Sequence, residues 1–260
     1  MNIANIVGLS AITAMALTLG AGQAVAGSAS IYQATTAEPN QETPEVSTEQ
    51  MRHILADKSA IVLDSRPRAE FDAGHIPGAQ ALDVPASERV AAVERLVGGD
   101  KSRRLVLYCN GPYCGASKRV AAQLVAAGFT GVQRYQLGMP IWRALGGPTE
   151  IELDGIVRIF KKDRTAVYID ARSAEEFAKG SLAGARNMTS EDAPAILKRM
   201  AAGNVQDAPL PLDDFNRRIV LFGREAAQAR KLAEILSTKP WHNVAYFPGS
   251  FQTLVNTLGK

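Results

Sequence analysis

Cys109 and Cys114 are the only cysteines among the 260 residues of this chain, and they stand five positions apart. Two thiols so close together would close only a tiny ring, so they do not staple a fold. Their role has to be local. A thiol does chemistry as the thiolate, and the thiolate is favoured by positive charge and by backbone N–H groups. The frame around the pair is Leu105-Val106-Leu107-Tyr108-Cys109-Asn110-Gly111-Pro112-Tyr113-Cys114-Gly115-Ala116-Ser117. The apolar run reads as a strand, and Val120 and Leu124 mark a helix after the loop. A cysteine that leaves a strand and faces a helix N-terminus meets unpaired N–H groups and the positive end of the helix dipole. Gly111 and Pro112 suit a tight loop around the sulfur, and Lys118 and Arg119 add to the field if they turn inward. Cys109 is therefore the candidate nucleophile. The competing reading is an inert buried cysteine, a common fate of free thiols.

Such a loop needs a sheet to hold it, and the chain builds that sheet twice. Leu63-Asp64-Ser65-Arg66, Glu70-Phe71, Gly74 and Gly78-Ala79 recur as Ile169-Asp170-Ala171-Arg172, Glu176-Phe177, Gly180 and Gly184-Ala185, with every matched pair 106 positions apart. A gapless match of this length is a duplicated domain. Ser47 and Gln50 have capping-box spacing ahead of Met51, Ile54 and Leu55, which share a helical face. In the second copy Asp154 precedes Ile156, Ile159 and Phe160. Strands are expected at 60–64, 105–108 and 132–137, and again at 167–170, 219–222 and 244–247, with helices between them. Alternation of this kind gives an α/β fold, a mostly parallel sheet flanked by helices in each of two tandem domains. From Ala79 to Leu107 is 28 positions, whereas from Ala185 to Leu221 is 36. The second copy thus carries an insertion, expected around Ala208 to Asp214.

Length and composition agree. With 46% hydrophobic residues the chain can fill two cores. A net charge of +3 with mixed signs gives no electrostatic case for a nucleic-acid partner or an anionic membrane. Ile3 to Ala26 is an apolar stretch ending Ala24-Val25-Ala26 before Gly27, the pattern of a cleaved secretory signal, although no Lys or Arg precedes it. The alternative is an uncleaved anchor. The expected organisation is a signal peptide over 1–26, a flexible linker over 27–46 and domains at 47–148 and 150–258. The product would be periplasmic or secreted, with no membrane association after cleavage.

The first copy resembles the rhodanese family. The carrying residues are Asp64, Arg66, Glu70 and Phe71, then Gly74-His75-Ile76-Pro77-Gly78-Ala79, then Cys109 at the strand end, then Gly138, Trp142, Gly147 and Pro148. The resemblance is strong over 47–148 and weaker over 150–258. It implies a sulfurtransferase that moves sulfane sulfur through a Cys109 persulfide, from a small-molecule donor to a thiol or protein acceptor, without a cofactor. It also implies a six-residue loop whose backbone amides cradle the sulfur, which makes Asn110, Gly111, Tyr113, Cys114 and Gly115 the substrate-binding positions. Pro112 has no N–H to give. The last loop position is commonly arginine in that family. Cys114 stands there instead, which weakens the case for an anionic donor such as thiosulfate and argues against phosphatase chemistry. Cys114 itself has three open readings: filler, resolving thiol, or disulfide partner of Cys109. In copy two the cysteine position holds Gly223, followed by Arg224, so that domain has no thiol to carry sulfur.

Other residues read as scaffold. Asp64 and Arg66 recur as Asp170 and Arg172 in the copy without a thiol, which suggests a buried ion pair. His75 becomes Ser181 and is expected to fix a turn, and Trp142 to fill the core. No zinc-ligand spacing or phosphate-binding glycine loop stands out. Two further functional readings stay open: thiol–disulfide redox chemistry by Cys109 and Cys114, and a non-catalytic binding module.

Overall fold

The computed structural model describes residues 41–204, 206 and 208–259. The leader expected over 1–26, and the linker as far as 40, lie outside the described residues. Copy one runs α1 (Thr48–Asp57), β1 (Ile61–Asp64), α2 (Arg68–Ala73), β2 (Gln80–Ala81), α3 (Arg89–Leu96), β3 (Leu105–Tyr108), α4 (Gly115–Ala126), β4 (Val132–Tyr135) and α5 (Gly138–Ala144). Copy two runs β5 (Thr149–Glu150), α6 (Leu153–Lys162), β6 (Val167–Asp170), α7 (Ala174–Ala178), β7 (Arg186–Asn187), α8 (Ala193–Ala201), β8 (Arg218–Phe222), α9 (Ala226–Ser237), β9 (Asn243–Tyr246) and α10 (Phe251–Leu258). Both sheets are parallel. Their orders are β2-β1-β3-β4 and β5-β9-β8-β6-β7.

β3 is apolar without a break, and β8 is so from Ile219 onward, because helices cover both faces of each sheet. On β3, Leu105 and Leu107 pack with Val93, Val120, Leu124 and Phe129. Val106 and Tyr108 turn to the other face, against Met51, Phe71 and Trp142. The period of two divides one run of side chains between two cores. Each leucine so buried contributes about 1.5–3 kcal/mol. The expected cap on α1 is present: the Gln50 N–H donates to Ser47 Oγ at 3.1 Å, and the Ser47 N–H donates to Gln50 Oε1 at 2.7 Å.

The linker read over 27–46 gives way to fold before position 46. Arg134 N–H donates to Pro44 O at 2.9 Å, Val46 N–H donates to Arg134 O at 2.8 Å, and Glu45 ion-pairs with Arg134 at 3.3 Å. This segment lies parallel to β4 as β5 lies parallel to β9, so the two copies share a fifth, outermost strand position. The extra length of copy two falls between α8 and β8, around the expected Pro-rich stretch.

The copies are joined firmly. His75 and Glu150 form an antiparallel bridge, each N–H donating to the other's carbonyl at 2.9 Å. Glu152 N–H donates to Asp72 O at 3.0 Å, and Arg158 ion-pairs with Asp72 at 3.2 Å. Gly155 lies in the first turn of α6 at this contact, and a Cβ there would lie 2.0 Å from Asp72 O, so only glycine allows α6 to sit so close to α2. No helix among the described residues is long and apolar enough to cross a membrane.

Candidate active site

The loop between β3 and α4 is a turn closed by a bond. Gly111 takes φ +101°, a value open to glycine. The Cys114 N–H then donates to Gly111 O at 3.0 Å, a four-residue turn with Pro112 in the second place, where its fixed φ fits. This turn returns the chain on itself, the Cys109 and Cys114 Cα atoms come to 6.2 Å, and a disulfide joins the two residues. That separation lies inside the roughly 7 Å reach of a disulfide. Of the three readings open for Cys114, the structure has the disulfide partner.

Several expectations for this loop change. Cys109 is only 3% exposed, while Cys114 is half-buried. Cys114 is the N-cap of the twelve-residue α4, so the dipole bears most directly on Cys114 rather than on Cys109. Its N–H is spent on the turn, and Cys114 brings a sulfur to Cys109 where a cradling amide was expected. Tyr113, read as a substrate-binding position through its backbone N–H, carries its ring 94% exposed at the turn tip, which leaves that reading as it stood. Gly115 opens α4, where the first-turn N–H groups lack helical partners. Arg119 does turn back: a Cβ on Gly115 would lie 2.7 Å from its guanidinium.

Two supports of the loop escaped the sequence reading. Asn110 Nδ2 donates to Glu70 Oε2 at 2.5 Å, tying the loop to α2. Gly138, at φ +59°, backs the loop so closely that a Cβ there would meet Cys109 O and Gly111 N, while the Met139 N–H donates to Cys109 O at 3.1 Å. The clue to the first lay in copy two, where Arg224 and Glu176 occupy the same two places and pair at 2.8 Å. That pairing, through the Arg224 hydrogen bond, holds the Glu176 carboxyl below its usual range. Copy two also lacks the loop itself. Three residues separate β8 from α9, whereas six separate β3 from α4.

Beneath the loop the expected ion pair is fully built. Arg66 Nε and Nη2 donate to the Asp64 carboxylate at 2.9 and 2.6 Å, and Nη2 also donates to Gly74 O at 2.8 Å. Burial opposes the Arg66 charge, but the Asp64 hydrogen bond and charge outweigh it and its pKa stands above the ordinary value. The buried Tyr108 hydroxyl accepts from the Ile76 N–H at 3.1 Å, and burial pushes its pKa well up. Asp170 and Arg172 repeat the pair at 2.6 Å under the loop without a thiol. His75 stacks on Phe71 with ring centroids 3.8 Å apart, and its Nδ1 meets Phe71 O at 3.0 Å. It sits at the junction of the copies, at Glu150 and Glu152, and not at the sulfur. Trp142 is buried in the core as expected. Among the described residues, no three His, Cys, Asp or Glu side chains gather as metal ligands.

A family model described as Rhodanese-like domain matches residues 47–145 and again 157–257. Thiosulfate sulfurtransferase GlpE of Pseudomonas putida (strain GB-1) is 34% identical over 96 residues, 37% of this chain and 81% of that protein. The Thiosulfate:glutathione sulfurtransferase of Homo sapiens is 35% identical over 104 residues, 35% of this chain and 86% of its own. HTH-type transcriptional regulator Rv0324 of Mycobacterium tuberculosis is 35% identical over 89 residues, and the match spans 37% of that regulator's length.

Proposed function

Since the chain belongs to the rhodanese family, as two tandem rhodanese domains, we propose that it is a sulfurtransferase in which Cys109 carries the sulfur. The observation that carries this reading is the placement of Cys109 at the carboxyl end of a central parallel strand, where α/β sheets bind their ligands, in a loop leading to a twelve-residue helix. Likeness to two thiosulfate sulfurtransferases, each matched over most of its own length, supports the same chemistry. In this reading the disulfide is the closed state. A thiol reductant opens it, and the Cys109 thiolate attacks the outer sulfur of a sulfane donor. The donor's remainder leaves, and the sulfur stays as a persulfide. The α4 dipole and the folded-back Arg119 stabilise negative charge on sulfur at this place. A thiol or other thiophile then removes the sulfur and restores the thiolate. Copy two, without a thiol and with a shorter loop, serves as scaffold.

The test is a panel of sulfane donors given to prereduced Cys114→Ser protein, in which the Cys109–Cys114 bond cannot re-form, followed by mass spectrometry of the Cys109 peptide. One added sulfur atom is expected on that peptide, and Cys109→Ser should return transfer to the uncatalysed background. Failure of every donor to modify the peptide would remove the reading. The Cys109–Cys114 bond also favours a second one, a dithiol–disulfide couple without sulfane chemistry. That couple would reduce a model disulfide, or in its bonded form oxidise a model dithiol, at equal rates whether or not donors are present. The leader read in 1–26 places the protein outside the cytoplasm in this proposal, where disulfides persist. Fractionation of cells expressing the full chain checks it.

A further inference from the structure

We propose that Cys114 is the resolving thiol for the Cys109 persulfide, so that the chain itself completes the reaction and releases the transferred sulfur as hydrosulfide. The proposal rests on the persulfide reading above and adds the identity of the acceptor.

The geometry that supports it is already assembled. The Gly111–Cys114 turn and the Gly138 backing hold the two cysteines 6.2 Å apart at Cα, and the two are bonded in the fold as it stands. The backbone therefore needs no rearrangement for one sulfur to reach the other. Cys114 caps α4 at the positive end of its dipole, which favours its thiolate. Cys109 is 3% exposed, so an external thiol approaches it through a narrow opening. Cys114 already stands there, and an intramolecular attacker gains a large effective concentration.

The steps balance. With thiosulfate as donor, the Cys109 thiolate attacks the sulfane sulfur, the S–S bond of the donor breaks and sulfite leaves. The Cys114 thiolate then attacks Cys109 Sγ, the bond from Sγ to the outer sulfur breaks, and that sulfur leaves as hydrosulfide. The two cysteine thiolates supply the two electrons that reduce the sulfane sulfur to sulfide, and they end as the Cys109–Cys114 disulfide. A small-molecule or protein dithiol reduces that disulfide and becomes a disulfide itself. The bonded pair is thus the product of a turnover as well as its resting form.

The experiment uses prereduced full-length protein, freed of reductant and kept dilute, with thiosulfate and, in parallel, an aryl thiosulfonate. Wild type is expected to release close to one hydrosulfide per chain in a burst and to finish with Cys109 bonded to Cys114. Cys114→Ser and Cys114→Ala are expected to retain the added sulfur on Cys109 and to show no burst until an external thiol is added. A wild-type protein that keeps the persulfide beside a free Cys114 thiol would overturn the proposal and leave the sulfurtransferase reading standing. So would an equal burst from both variants. If wild type and variants alike never take up sulfur, the underlying reading fails as well.

Discussion

Gly138 sits behind the reaction loop with no room to spare. A methyl group there would collide with Cys109 O and Gly111 N, and its φ of +59° suits glycine. Gly138→Ala should therefore move the Cys109 backbone by a fraction of an ångström to an ångström. A displacement of that size costs about a hundredfold in rate. Sulfur transfer measured beside far-UV circular dichroism should show the rate falling while the helix and strand signal stays. A full rate in Gly138→Ala would mean that the loop has slack which the close contacts deny. At this scale the sequence was legible in identity and incomplete in geometry. Cys109 was visible from the strand before it and the helix after it. The closure onto Cys114 stood only as one of three open readings, because it depends on one turn hydrogen bond and on Gly138, which lies far along the chain.

At the level of elements, the two buried pairs are the clearest design. Asp64–Arg66 and Asp170–Arg172 have the same 2.6 Å contact and the same donation to a glycine carbonyl, at Gly74 and Gly180. Their persistence under both loops marks them as fasteners between the first strand and the segment that follows its helix. Removing one partner of such a pair strands a buried charge, at a cost of about 3–5 kcal/mol. Asp64→Ala and Asp170→Ala are expected to lose comparable stability in urea unfolding, although only the first lies beneath a thiol. A loss confined to Asp64→Ala would tie the pair to chemistry instead. These elements were legible because the repeat printed them twice. The strand position at Pro44–Val46 was not, because three residues including a proline carry no period, and pairing at Arg134 in β4 and at Gln136 just beyond it gives them their form.

The molecule as a whole is held by the junction between its copies. Gly155 lets α6 press on α2, and a larger residue there overpacks the contact, at about 1–3 kcal/mol. Gly155→Leu should keep both cores and loosen the junction, seen as faster proteolysis between β5 and α5 and as a larger radius in small-angle scattering. An unchanged radius and cleavage rate would show that the copies are held elsewhere. His75 lies in the same junction, and burial holds its imidazole below the ordinary value of 6.5. The unfolded chain then takes up this proton at a higher pH than the folded chain does. The neutral ring's contribution is complete above about pH 6.5 and drains away as acid is added. Between about pH 7 and pH 5 the wild-type melting temperature should therefore fall more steeply than that of His75→Gln. Parallel slopes would assign the acid sensitivity to other groups.

The three-residue connection from β8 to α9 leaves the carboxy-terminal half closed to thiol chemistry. A Cβ on Gly223 would lie 2.9 Å from the Gln228 side chain, so a thiol put there has neither space nor a second sulfur to meet. Gly223→Cys is expected to remain inert toward sulfane donors. A second sulfur-carrying site in this half would need inserted residues as well as a cysteine, so no single substitution supplies one.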